Sequence, residues 1–401
     1  MNRRDFLKSI TALASALGLT RLAAGYARTP NDEPVPPIYL PLVTNQYRAG
    51  KLNGKVIHVH APNVTNWYFD PTRYYGRTQS PSTPGVDQAV VDAMVDRGVA
   101  ALFGLPSSQA ADAWERLIPD YVPGKRVAIK VNFNNSFSCA TTVLDIDAIA
   151  QPINAVIRGL KTLGVRDQDI VLYDAIRYFA DRVYQELVYK DVLIHDNGCR
   201  GNISTWTSTD PNARVQFYPP AGGLPGVRLS DTLVNADYLI NMPIMKGHPI
   251  AGVTLSFKNH FGSTNNPSGM HSYVATYYGK INQYSALVDL NSNPHIRDKT
   301  VLILADGIYG SRHYQDSPPQ PWSTFGNHSP CSLFFATDPV AVDSVMHDLL
   351  KAERGLSQPA TSNAYLRLAS QAGLGYYESG DPWRLPYGSG YEQIIYERIE
   401  L

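Results

Sequence analysis

Apolar and polar positions along this chain fall into blocks whose period switches between two and three to four. Residues 55–60 (KVIHVH) have the short alternation of a strand, and residues 87–104 follow with apolar positions at helical spacing. Residues 108–119 predict a second helix, and residues 126–133 (RVAIKVNF) a second strand. Ile149, Ile153, Val156, Ile157, Leu160 and Leu163 then mark one helix face, before residues 169–175 (DIVLYDA) return as a strand. Further buried strands are predicted over 238–245, 300–305 and 333–336. Residues 339–351 predict a helix with Asp338 as its cap and proline in its first turn. Strands alternating with helices imply an α/β fold, a mostly parallel sheet with helices on both faces. No internal repeat interrupts this pattern. The Pro/Gly-rich stretch 219–226 marks either a boundary between two lobes or a long loop.

The N-terminal part follows a different logic. Asn2-Arg3-Arg4-Asp5-Phe6-Leu7-Lys8 carries two arginines followed by any residue, Phe, Leu and Lys, the twin-arginine export pattern. Residues 10–19 behind it are mildly apolar, too short for a hydrocarbon core that needs roughly twenty residues. Ala23, Ala24 and Ala27 supply small residues for cleavage, so the expectation is a signal peptide over 1–27 and a mature protein beginning near Arg28. Residues 28–54, which include TPNDEPVPP, predict an extended linker, leaving 55–401 as the α/β domain. The expected partner is the twin-arginine machinery, and the expected location periplasmic or extracellular, with no stable membrane insertion after cleavage. That route carries folded chains, which favours a cofactor inserted before transport.

Composition narrows the choice of partner. With 401 residues, 44% hydrophobic and 17% charged, the chain can bury a large core. Thirty-five basic against thirty-five acidic residues leave no electrostatic footprint for nucleic acid. The 25 tyrosines crowd the second half, including Tyr376, Tyr377, Tyr387 and Tyr391; they suit either ordinary packing or a stacking platform for sugars. Cys139, Cys199 and Cys331 form no Cys-x-x-Cys pair, and a disulfide between two of them stays open because sequence does not choose the pair.

Ligands of open α/β sheets gather at the carboxyl ends of strands, and polar residues recur there in this chain. Asn132 follows one predicted strand, Asp174 another, Lys246 and His248 a third, and Asp306 and Asp338 end the last two. Asp338 equally suits a helix cap and Asp306, before Gly307, a turn. Lys130 lies within a buried strand, where an unpaired lysine is costly. Asp343 and His347, four apart on a helix, predict a mutually orienting or solvated pair. His58 and His60 share one strand face and could hold a metal, with no third ligand in view.

The densest chemistry is INMPIMKGHPIAGVTLSFKNHFGS, residues 240–263, which gathers Lys246, His248, Lys258, Asn259 and His260 without a carboxylate nearby in sequence. A desolvated lysine can act as base, imine-former or anion anchor, and neutral histidine binds borderline metals. Such a group predicts a small anion, a carboxylate, phosphate or sulfate, with amides near Gly247 or Gly262 as further donors. The alternative reading puts both lysines on the surface and packs His260 on Phe261. No phosphate-loop, dinucleotide, nucleophile-elbow or His-Glu-x-x-His motif occurs.

The order INMPIMKGH, AGVTLS, FKNHFG, followed by ILADGIYG and ATDPVAVDSV and preceded by VAIKVNF, resembles the bacterial and archaeal family called domain of unknown function 362 over about 126–350. Some members carry cysteine-rich ferredoxin-like segments, which this chain lacks. More remotely, His248, Ala251-Gly252 and Lys258 are similar in spacing to nickel-pincer lactate racemases. That resemblance implies His248 as an acid/base group, Lys258 as the tether of a nickel-bearing pyridinium cofactor and His271 as a metal ligand. Ser256-Phe257 replaces the racemase glycine pair, and His271 follows the lysine at a shorter interval.

The leading expectation is an exported enzyme using a metal or organic cofactor on a small anionic substrate. Its catalytic candidates are His248, Lys258 and Lys130; Lys246, Asn132, Asn259, Asp174, Asp306 and Asp338 would bind substrate; His271 and His260 are the metal candidates. Two other expectations are a periplasmic anion- or glycan-binding accessory protein without turnover, and a scaffold whose named residues scatter over the surface.

Overall fold

The computed structural model describes residues 54–401 apart from positions 81, 143, 201, 219–223, 225, 275–280, 314–315, 355 and 357–358. The expected signal peptide, its cleavage point and the linker up to residue 53 lie outside the described residues, as does most of the 219–226 stretch.

Among the described residues ten strands share one mixed, mostly parallel sheet. They are β1 (Lys55–His60), β2 (Val127–Lys130), β3 (Ile170–Tyr173), β4 (Leu193–His195), β5 (Tyr238–Asn241), β6 (Ile244–His248), β7 (Gly252–Thr254), β8 (Thr300–Ser311), β9 (Ser332–Ala336) and β10 (Ile395–Glu400). The order is β10-β1-β9-β8-β5-β2-β3-β4, with β6 pairing β8 and β7 completing a hairpin on β6. From β8 through β5, β2 and β3 to β4 every pairing is parallel. β9 runs antiparallel to both β8 and β1, and β10 is parallel to β1.

The central strands are buried throughout, as their uninterrupted apolar sequences require of strands covered on both faces. Alternate residues serve two cores. Val127, Ile129, Ile240, Leu302, Leu304 and Phe335 pack with residues from helices Gln88–Leu102 and Ala150–Thr162. Ala128, Leu239, Ile303, Ala305 and Phe334 pack on the opposite side with helices Pro339–Arg354 and Pro359–Gln371. The α/β reading with helices on both faces therefore holds.

Several elements depart from expectation. The stretch 238–245 is two strands, because the break falls at Met242-Pro243, where proline has no N–H for a ladder. β8 runs on to Ser311, well past residue 305, and pairs β6 in its extension. Cys139 and Cys199 are joined in a disulfide with Cα atoms 5.3 Å apart, tying the loop after β2 to the loop after β4; Cys331 is buried and unbridged. No helix among the described residues is long and apolar enough to cross a membrane.

A buried lysine cluster at the carboxyl ends of the central strands

Lys130 ends β2, and its register partners Tyr173 and Asn241 end the flanking strands β3 and β5. The sheet thus aligns three polar side chains, with Asp174 next in line, at the edge where α/β ligand sites form. The fully buried Lys130 Nζ donates to the Val131 carbonyl, to Asp174 Oδ2 at 3.2 Å and to Asn259 Oδ1 at 3.3 Å. Asp174 Oδ2 also accepts from the Phe133 amide at 3.1 Å. Burial lowers the Lys130 pKa while Asp174 raises it.

An amide chain continues inward from that ion pair. Asn132 Nδ2 donates to Asn259 Oδ1 at 3.0 Å, and Asn259 Nδ2 donates to Asn241 Oδ1 at 2.7 Å. Asn241 Nδ2 then donates to the Ser256 carbonyl and to His260 Nε2. His260 Nδ1 is left to donate to Ser263 Oγ at 3.2 Å, which also meets the Tyr173 hydroxyl at 3.0 Å. Burial, with Lys130 nearby, holds His260 neutral by lowering its pKa to about 3. Both its ring nitrogens are engaged, which removes His260 from the metal candidates. Gly262 closes over the pair: a Cβ there would sit 2.6 Å from Asp174 Oδ1 and 2.7 Å from Lys130 Nζ.

Lys258 rides on the four-residue helix Ser256–Asn259. So short a helix cannot hold itself, and its first amides are fixed from outside: Asp343 accepts from Ser256 N at 2.8 Å and from Phe257 N at 3.2 Å. Lys258 Nζ lies 4.3 Å from the centre of the Phe261 ring. Burial first, then the charges of Lys246 and Arg177, lower its pKa to about 7. Lys246, on β6, is 1% exposed, and its Nζ has no hydrogen-bond partner among the described residues. Burial lowers it to about 8, with Asp147 and Asp174 pulling up and Lys130 pushing down. Leaving a buried donor unpaired costs about 1–3 kcal/mol, so this is an arrangement that packing alone does not favour.

Two histidines adjoin the lysines. His248 Nδ1 accepts from the Ile250 and Ala251 amides at 3.0 and 3.1 Å, which places the ring proton on Nε2. Burial and Lys258 push its pKa well below the usual histidine value, keeping the ring neutral. Its Nε2 is therefore a hydrogen-bond donor, and the proton-accepting role implied by the racemase resemblance does not fit this tautomer. The His271 ring stacks on His248 with centroids 5.6 Å apart and meets Phe261 edge-on at 4.9 Å. His271 Nδ1 donates to the Pro267 carbonyl at 3.0 Å, the arrangement that orients many ligand histidines. Burial and Lys258 nevertheless outweigh that bond and lower its pKa to about 4. Among the described residues, however, no group of three or more His, Cys, Asp or Glu is placed to hold a metal ion.

Other sequence candidates have different work. Asp338 is buried and accepts four backbone amides, from Val340, Ala341, Gly54 and Tyr376, so its oxygens are occupied as a cap and chain tie and not as a ligand-binding group. Asp306 lies within β8 opposite Ile244, bonds the Ile308 amide at 2.9 Å, and is raised to about 6 by burial; no described bond joins it to the lysines. Asp343 and His347 do not pair: the first holds the Lys258 helix, and the second bonds Ser362 Oγ at 3.0 Å. His58 and His60 share a strand face as expected, but Tyr396 and Ser332 take both nitrogens of His58 and Glu400 takes His60 Nδ1. Tyr391 is buried against Asp348, while Tyr376 and Tyr387 are exposed.

The lysines are also less isolated from carboxylates than their sequence neighbourhood suggested. Folding brings Asp174 against Lys130 and Asp147 towards Lys246. Asp147, raised to about 6 by burial, is held by the Asn135 amide, Ser136 Oγ and Arg182 Nη2. Arg177, near enough to depress Lys258, donates to the Asn134 carbonyl at 3.0 Å.

The sequence profile of a family described as Domain of unknown function (DUF362) matches residues 127–348, more than half of the 401-residue chain. The chain belongs to the DUF362 family. Every member of the lysine cluster, together with Asp147, Asp174, Asn259 and Asp343, falls inside the DUF362 match. No curated protein matches the chain.

Proposed function

We propose that this protein is an exported enzyme that binds a small anionic substrate between Lys246 and Lys258, at the carboxyl ends of the central strands. The observation that carries this reading is the buried Lys246 Nζ, without a hydrogen-bond partner among the described residues and close enough to the buried Lys258 to lower its pKa. An entering carboxylate, phosphate or sulfate gives Lys246 Nζ a hydrogen-bond acceptor and Lys258 a counter-charge, in surroundings where each contact is stronger than in water. Lys258, at about 7, divides between amine and ammonium near neutral pH, which suits proton transfer or nucleophilic attack on a carbonyl.

Export is part of the same reading. It is supported by the twin-arginine pattern at Asn2 to Lys8 and by the Cys139–Cys199 disulfide, since such bridges persist in oxidising compartments. N-terminal sequencing of the exported form should begin near Arg28. Retention of Met1 or Asn2 would remove this part.

The test of the site is titration with phosphate, sulfate and a series of small carboxylates, read by calorimetry, on the wild type and Lys246→Met. Binding that disappears in the variant supports the reading; equal binding overturns it. A Lys258→Ala variant that keeps affinity but loses turnover would favour an enzyme over an accessory protein that only captures the anion. Metal analysis of protein purified from its native producer tests for a cofactor.

A further inference from the structure

A cavity of about 320 Å³ lies where the loop after β1 meets the segment before β9, and no residue of the lysine cluster lines it. Its volume is at the lower end of the range for small-molecule sites. Trp67, Phe69 and Phe325 supply aromatic walls, and His60, His328 and Ser329 supply polar side chains. None of the lining residues is Asp, Glu, Lys or Arg.

A further observation concerns the backbone of this cavity's lining. Three non-glycine residues among those described have a left-handed backbone: Phe69 at φ 60°, Asn327 at φ 63° and Cys331 at φ 49°. Phe69 and Cys331 line the cavity and Asn327 precedes its His328. Such conformations cost of order 1–3 kcal/mol each and cluster where a fold maintains a functional shape.

We propose that this cavity binds one neutral saccharide unit. A sugar ring presents apolar C–H faces to aromatic walls and hydroxyls to its edge, and so meets both halves of the lining. An aliphatic ligand would leave the polar edge formed by His60, His328 and Ser329 unmatched. A charged one would meet no counter-charge in the wall. Cys331 takes no covalent part, since burial pushes its thiol up to about 12. The site is separate from the anion site and stands whether or not that one does.

The experiment is saturation-transfer NMR of the full-length folded protein with a panel of neutral mono- and disaccharides, including methyl glycosides and N-acetylated hexosamines. Millimolar or tighter binding is expected, about tenfold weaker in Trp67→Leu, which removes an aromatic wall, and unchanged in Lys246→Met. His328→Ala, at an exposed position, gives a second variant that tolerates replacement and should also weaken binding. Failure of every sugar to bind, equal affinity in both cavity variants, or displacement by benzyl alcohol in preference to sugars would overturn the proposal.

Discussion

The Ser256 amide donates to the Asp343 carboxylate at 2.8 Å, across 87 residues of chain. This one bond, with its neighbour from Phe257, sets where the short helix begins and hence where Lys258 lies. Replacing Asp343 by Ala removes both acceptors and should cost about 1–3 kcal/mol in urea unfolding, whereas Asn keeps one acceptor and should cost less. Anion affinity should fall in the same order, because the residue acts through Lys258. An Ala variant with full affinity would separate Asp343 from the site.

Acid should favour the fold through four buried carboxyls. Burial raises Asp147 and Asp306 to about 6 and Asp289 and Asp343 to about 7, above an unfolded value near 4. The folded state then holds these protons more tightly than the unfolded chain. Their stabilising contribution is fully present below about pH 4 and is lost as pH rises to 6–7. Asp343→Asn should flatten the upper part of this fall, measured as unfolding midpoints between pH 4 and 8.

The lysines act with the opposite sign. Lys246 at about 8 and Lys258 at about 7 lie below their unfolded values near 10.4, so their contribution is present above that pH and is lost as pH falls through 8 and 7. Phosphate or sulfate should therefore raise the melting temperature more at pH 6 than at pH 9. Lys246→Met should stabilise the ligand-free protein by about 1–3 kcal/mol and abolish most of the anion effect. A salt-independent melting temperature at pH 6 would count against the anion site.

Lys130 and Asp174 form a pair at 0% and 4% side-chain exposure. Removing only the lysine, as in Lys130→Met, leaves a buried charge and should cost about 3–5 kcal/mol, while Lys130→Met with Asp174→Asn should cost less than the single change. A double-mutant cycle reads the difference.

Reduction of Cys139–Cys199 should also destabilise. The bridge spans 60 residues, for which the chain-entropy account gives about 4 kcal/mol. Denaturation with and without reductant checks the size, and anion titration of the reduced form shows whether the loops after β2 and β4 hold the site.

The fold class and much of the sheet were legible because the central strands are apolar on both faces and the helices between them keep a clean period. Lys130, Asn132, Asp174, Lys246, Lys258 and Asn259 were legible as strand-end or short-motif polar groups, and the structure brings them together. Asp343 was not, since its partner is set by the packing of a distant helix and nothing near it in sequence points there. Asp338 was legible as a helix cap, and the four amides it accepts occupy the oxygens that its second reading, as a substrate ligand, would need. The disulfide and β10 depend on pairings between remote segments, which local patterning does not encode.

β1 pairs along its outer edge with β10, residue for residue from Lys55↔Ile395 to His60↔Glu400. Among the described residues the earliest strand thus waits for the latest, and the outer edge of β1 keeps its N–H and C=O groups open to any other strand until residues 395–400 have been made.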